Sequence, residues 1–259
     1  MTEQIEIPSN LPRGGDVRGK RVVITGASRG LGRVLAHAFS QAEARVALVA
    51  RTETELKEVA AELPGPTLVC SGDVTEADFN EAVAEAAVAE WGGVDVWICN
   101  AGISPIVAGP LKTDPIVWRK VLDVNLTGAF LGARAAARVM TEGGRLIFTG
   151  SVLGERPREG LAAYSASKAG LVGLAKGLAL DLGSSGITVN VVAPGWFDSP
   201  LAEGWKNNPK LGNGILEHTA QHRWGAVADL AGAYQFLASD AASFVTGTVL
   251  SVDGGYLLA

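Results

Sequence analysis

The stretch "TGASRGLG", Thr25 to Gly32, decides how the rest of the chain is read. Ahead of it stands "RVVIT" (21–25), a short apolar run rich in β-branched residues. Behind it, residues 30–42 carry the spacing of a helix with one apolar face. Glycines fall at 26, 30 and 32. In a strand–turn–helix setting they let the backbone turn tightly and approach a pyrophosphate, which then rests on the helix N-terminus. The spacing is G-x-x-x-G-x-G rather than the commoner G-x-G-x-x-G, and a glycine pattern alone is weak. Its flanking strand and helix make an ordinary glycine-rich turn the poorer reading.

Working outward, the same alternation continues to the end of the chain. Short β-branched runs occur at 45–50, 67–71, 94–100, 144–150, 187–193 and 248–253. Helical patterns lie between them at 53–62, 76–91, 115–142, 163–183 and 228–238, with Pro115 after Asp114 as a helix start. Runs apolar on both faces are what buried parallel strands require. The expectation is an α/β fold: one domain over 19–259, a doubly wound parallel seven-stranded sheet flanked by helices. Residues 1–18, broken by Pro8, Pro12, Gly14 and Gly15, read as a flexible N-terminal arm. The longest stretch without clear periodicity, 196–226, reads as a functional loop and substrate lid.

Composition narrows the function. With 47% apolar and 19% charged residues the 259-residue chain is globular. A net charge of −5 argues against nucleic acid as partner. No run of about 18 apolar residues suggests a membrane span, and the N-terminus lacks a signal core, so a cytoplasmic protein is expected. Cys70 and Cys99 sit in expected strands and do not suggest a disulfide framework. His37, His218 and His222 read as surface or loop histidines without a metal.

A second motif, "YSASK", puts a phenol (Tyr164) and an ammonium (Lys168) about 6 Å apart along one helix face. Taken alone it reads as a surface tyrosine beside a solvated lysine. Together with "TGASRGLG", "DV" (73–74), "NAG" (100–102), "VNLTG" (124–128), "GSVLG" (150–154), "PG" (194–195) and "VTGTVLSVDGG" (245–255), however, the chain resembles the short-chain dehydrogenases/reductases over nearly all of 19–258. That resemblance implies a Rossmann fold and hydride transfer between a nicotinamide cofactor and a carbonyl or secondary alcohol. It implies Tyr164 as general acid/base, with Lys168, Ser151 and Asn125 as its catalytic companions. The lysine cation is expected to pull the phenol pKa toward neutrality, and the Ser151 hydroxyl to hold the substrate carbonyl. Asn125 is implied to position a water, with a buried structural amide as the alternative.

The resemblance also implies cofactor contacts at Gly26, Ser28, Arg29, Gly30, Leu31 and Gly32, at Asp73 and Val74, and at Asn100, Ala101 and Gly102. It adds Tyr164, Lys168, Pro194, Gly195, Phe197 and Ser199, the last standing where the family usually has Thr. Asp73 could instead be a turn or cap acid. The end of the second strand reads "VALVART", with Ala50 where an acid would bind a ribose 2′-hydroxyl, followed by Arg51. Arg51 and Arg29 suit a 2′-phosphate, which points to NADP(H).

The substrate is less legible. Trp196, Phe197, Trp205 and Trp224 could face a ring substrate or anchor the lid to its own domain. Arg156 and Arg158 could hold a substrate carboxylate or phosphate, or be solvated loop charges. Three functions stay open: a carbonyl reductase or alcohol dehydrogenase for a small or ring-bearing ketone, keto acids included, a 3-oxoacyl-thioester reductase, and a non-catalytic NADP(H)-binding redox sensor. Residues 223–247 resemble gluconate 5-dehydrogenase-like members and, less closely, 3-oxoacyl-carrier reductases. Long helices with broad apolar faces, including Leu171, Leu174, Leu178 and Leu182, and an apolar "GGYLLA" end suggest a homo-oligomer, dimer or tetramer.

Overall fold

The computed structural model describes residues 14–141 and 143–258. Its centre is a seven-stranded sheet with every neighbouring pair parallel. The strands are β1 (Arg21–Thr25), β2 (Arg45–Ala50), β3 (Thr67–Ser71), β4 (Val96–Cys99), β5 (Gly144–Thr149), β6 (Ile187–Pro194) and β9 (Val249–Val252). Two further strands, β7 (Phe197–Asp198) and β8 (Gly225–Ala226), form a separate two-residue pair. The order across the large sheet is β3-β2-β1-β4-β5-β6-β9. It reverses direction between β1 and β4, the kind of switch point at which open α/β sheets take ligands beyond the carboxyl ends of their strands.

Alternation along each strand divides the core. Val22, Ile24, Val46, Leu48, Val96, Ile98 and Ile147 point into one layer. Val23, Ala47, Val49, Trp97, Cys99, Leu146 and Phe148 point into the other. Successive side chains leave opposite faces of a strand, so both faces of this sheet must be covered. Helices α1 (Gly30–Gln41), α2 (Glu53–Glu62) and α9 (Ala231–Ala238) cover the first. Helices α3 (Ala77–Trp91), α5 (Gly128–Val139) and α6 (Ala162–Leu182) cover the second.

The expected elements recur with a few differences. The 115–142 helix is three pieces: α4 (Pro115–Leu122), a π turn (Asp123–Thr127) and α5. Its start is as expected, with the Asp114 carboxylate accepting from Ile116 N at 2.7 Å. The 196–226 stretch is not all loop: it holds α7 (Glu203–Lys206) and α8 (Pro209–Glu217). Asn208 caps α8 through Lys210 N and Leu211 N, and Pro209 takes the first turn. That Asn-Pro signal stands in the sequence.

Part of the expected arm is packed. Gly14 N donates to Gln235 Oε1 at 3.1 Å, and Val17, 1% exposed, belongs to the core. The rest of the arm, 1–13, lies outside the described residues. The Leu171, Leu174, Leu178 and Leu182 face of α6 turns inward onto the chain's own core. His37 is likewise not at the surface; it is buried on α1 and meets Glu62 at 2.9 Å. Among the described residues no helix is long and apolar enough to cross a membrane, and no cluster of His, Cys, Asp or Glu could hold a metal. Both cysteines are free.

Candidate active site

The glycine turn leaves β1 and enters α1, and its glycines do two different jobs. Gly26 has φ +69°, and a Cβ there would lie 2.9 Å from Ala101 Cα. A Cβ on Gly32 would lie 2.1 Å from Gly26 O and 2.8 Å from Asn100 Nδ2. These two let the turn pack against the segment after β4. Gly30 differs: its φ is +55° and nothing lies within 4 Å of its Cβ position. That open face, at the start of a helix whose first N–H groups have no intrahelical acceptors, is a cradle that fits a pyrophosphate.

Thr25 ties the turn to "NAG". Its hydroxyl donates to Ile98 O at 3.3 Å and accepts from Asn100 N at 2.9 Å and Ala101 N at 3.0 Å. Asn100 Nδ2 donates to Thr25 O at 2.9 Å. Residues 26–32 and 100–102, expected to share one cofactor, thus form one wall.

Arg29, on the glycine turn, and Arg51, directly after β2, are both exposed. Asp73 caps its own turn by accepting from Thr75 N and Thr75 Oγ1, each at 2.9 Å. Thr75 holds its carboxyl below the usual carboxylate range against the opposing effect of burial, and the charges of Arg51 and Lys120 act in the same direction as Thr75. Asp73 is thus a turn acid within its own segment, and Arg51 is close enough to feel its charge. Val74 is buried against Gly128. Pro194 ends β6. Gly195 passes so close to Asp253 that a Cβ would lie 2.6 Å from its Cα. Phe197 is buried in the main core, and Ser199 is half-buried beside it in sequence. Ser28 and Leu31 are half-buried on the turn.

Ser151, Tyr164 and Lys168 converge at the carboxyl end of β5. Ser151 caps a short 3₁₀ turn by accepting from Leu153 N at 3.1 Å, and it lies near enough to the Tyr164 phenol to favour its ionised form. Lys168, 4% exposed, donates from Nζ to Thr149 O at 2.7 Å and lies 5.5 Å from the Tyr164 ring centre. Burial pushes its ammonium down to about 8.

The phenol corrects one expectation. It is not pulled toward neutrality here. Tyr164 is only half-buried, yet the surrounding protein still pushes its pKa up, while Ser151 acts the other way. The lysine engages the Thr149 carbonyl instead of the phenol oxygen.

Asn125 sits in the π turn, 1% exposed. Such turns recur at functional sites. Its Oδ1 accepts from Ile103 N at 2.8 Å, and its Nδ2 donates to Ile103 O and Ser167 Oγ, each at 3.0 Å. It therefore braces the segment after "NAG" against α6. Gly102 lies between the two catalytic candidates: a Cβ there would be 3.4 Å from Asn125 Oδ1 and 3.5 Å from Lys168 Nζ.

Two residues escaped the sequence reading. Thr149 carries Lys168 on its carbonyl, while its hydroxyl meets the Tyr234 hydroxyl at 2.8 Å and donates to Asn100 Oδ1 at 3.3 Å. Tyr234, from α9, is fully buried, and burial drives its phenol far up. A buried tyrosine needs a hydrogen-bond partner, but no spacing in the sequence identifies a partner 85 residues away.

The tryptophans of 196–226 anchor that segment to its own domain. Trp196 meets Trp205, Trp224 and Tyr256 at centroid distances of 5.3, 6.0 and 6.2 Å, and Tyr164 packs on the same cluster. Arg156 and Arg158 are not solvated. Arg156 lies over Tyr256 at 5.2 Å and donates to Tyr256 O at 2.9 Å. Arg158 lies 5.5 Å from the Trp196 ring centre and 5.8 Å from that of Trp205. Stretches 154–160 and 196–226 thus meet beside the phenol.

A family model described as enoyl-(acyl carrier protein) reductase matches residues 26–257. The chain is 38% identical over 240 residues to a 3-oxoacyl-[acyl-carrier-protein] reductase of Salmonella typhimurium, covering 92% of this chain and 97% of the relative. It is 38% identical over 251 residues to 3beta-hydroxysteroid dehydrogenase 1 of Eggerthella lenta, covering 94% and 95%. A chain from Beutenbergia cavernae, solved with NADP at low occupancy, superposes with a TM-score of 0.87 at 34% identity, covering 94% and 99%. The relatives' names differ in substrate and agree in reaction type. The chain belongs to the short-chain dehydrogenase/reductase family: it is an oxidoreductase of CH–OH groups that works with a nicotinamide dinucleotide.

Proposed function

We propose that this enzyme interconverts a carbonyl compound and its secondary alcohol with NADP(H), using Tyr164 as the proton donor and acceptor. The observation that carries the reading is the convergence of Ser151, Tyr164 and Lys168 beside the glycine wall. When bound, the nicotinamide supplies or takes the hydride. The chain's own residues handle the oxygen. The Ser151 hydroxyl, beside the phenol, positions the carbonyl oxygen next to it. Tyr164 is held protonated by its surroundings, so in reduction it can give its proton to the oxygen that becomes a hydroxyl. Lys168, still mostly protonated at pH 7, places a positive charge beside the phenolate left behind. Asn125 holds the 100–103 segment and α6 in register.

Ala50 and the exposed Arg51 and Arg29 support NADP(H) over NAD(H), because guanidinium groups bind phosphate through several directed hydrogen bonds. Reduction of a 3-oxoacyl thioester is the second reading, favoured by the Salmonella typhimurium relative. The sensor reading has no support from a chain that keeps all four catalytic candidates. A homo-oligomer is supported by apolar side chains left outside: Ile116 (70% exposed), Phe130, Leu180 (86%) and the fully exposed Phe244. A cytoplasmic setting fits the two free thiols.

The test is Tyr164→Phe. NADPH binding should persist while turnover of any accepted ketone falls by roughly 100-fold or more, the scale of general acid catalysis. Turnover near that of the unaltered enzyme would remove the proton-transfer role.

A further inference from the structure

Arg158 is a half-buried cation. Among the described residues no carboxylate lies within 4 Å of it, and its side chain has no hydrogen-bond acceptor. Its sequence neighbours Glu155 and Glu159 are exposed and do not pair with it. Two neighbouring cations are committed. Arg156 donates to the Tyr256 carbonyl, and Lys206 pairs with Asp198. Arg158 lies instead against Trp196 and Trp205. Contact with an aromatic face uses the charge of a guanidinium and leaves its five N–H donors for a planar acceptor. The Trp196 indole N–H is a second donor in this cluster without an acceptor. Tyr164 packs on the same cluster.

We propose that Arg158 is the carboxylate-binding residue of the substrate site, so that the preferred substrate is a carbonyl acid, or its hydroxy acid, with an apolar or ring body lying on the tryptophans. One guanidinium matches a singly charged carboxylate bidentately, whereas a phosphate dianion would call for a second free cation, which the cluster lacks. The inference rests on the carbonyl–alcohol reading of Ser151 and Tyr164.

The test measures binding of a non-reacting probe pair, cyclohexanecarboxylate and cyclohexanecarboxamide, by tryptophan fluorescence in the presence of NADP⁺. The original protein should bind the acid at least about tenfold more tightly than the amide. Arg158→Met, which keeps the apolar stem, should weaken the acid by roughly 10- to 100-fold and leave the amide unchanged. Arg158→Lys should recover part of the loss as a point charge. Equal binding of acid and amide, or equal weakening of both by Arg158→Met, would overturn the proposal and make Arg158 a brace for the aromatic cluster. A failure of the carbonyl reading would show separately, as Tyr164→Phe turnover near normal while carboxylate binding remains intact.

Discussion

Replacing Lys168 with Met should change how stability depends on pH. Lys168 is buried, and its pKa falls from 10.5 to about 8 because burial disfavours the charged form. Below pH 8 the folded and unfolded chains both carry the proton, and the folded state bears the full cost of the buried charge. Between pH 8 and 10.5 the unfolded chain holds more protons than the folded one, so stability rises with pH. From pH 7 to pH 10 that rise amounts to about 2.5 kcal/mol from this group alone. Other groups act in the opposite direction. Burial raises the Cys70 and Cys99 thiols and the Tyr164 and Tyr234 phenols, so each stays neutral in the fold while ionising in the unfolded chain, and stability falls as pH passes their unfolded values. Those losses are common to both variants. Losing the bond to the Thr149 carbonyl is a constant offset. The readout is therefore a double difference: urea unfolding free energies at pH 7 and pH 10, at one protein concentration and without cofactor. The unaltered protein should gain about 2.5 kcal/mol more than Lys168→Met across that range. Equal pH dependence in the two proteins would refute the buried-charge argument and place the Lys168 pKa near that of a free lysine.

Arg51→Ala should weaken NADPH by roughly 10- to 100-fold and NADH little, read as two dissociation constants, since a charged hydrogen bond to phosphate contributes about 1.5–3 kcal/mol; equal loss for both would mean that Arg51 does not read the 2′-phosphate. The two glycines of the turn separate space from conformation. Gly30→Ala meets no atom but holds φ at +55°, a strain of about 1–2 kcal/mol. Gly32→Ala puts a methyl 2.1 Å from the Gly26 carbonyl oxygen and must move backbone, so its melting temperature should drop further than that of Gly30→Ala. The reverse order of melting temperatures would contradict the packing described for this turn.

Much of this protein is written locally. The strands 21–25, 45–50 and 67–71 and the helix 53–62 stand where the period of apolar residues places them, because burial on both faces leaves an unbroken run and burial on one face leaves a helical stripe. The glycines at 26, 30 and 32 and the one-turn spacing of Tyr164 and Lys168 are equally local, so the sequence alone carried the fold class and named the candidate cofactor turn and reacting groups. Periodicity could not show that 115–142 breaks at a π turn. The apolar stripe runs through it, and the break is visible only where Asn125 turns inward to brace Ile103 and Ser167. Nor could it show where the α6 leucines point, since an apolar face reads alike whether it covers its own sheet or a neighbour. The electrostatics of the site were also outside its reach. Whether a phenol beside a lysine titrates low depends on how strongly burial opposes the cation, and here burial pushes the Tyr164 phenol up. The same holds for Tyr234 on Thr149 and for Arg158 on Trp196 and Trp205. These contacts join segments far apart in the chain, and only the folded sheet, by bringing its loops to one edge, decides which side chains meet.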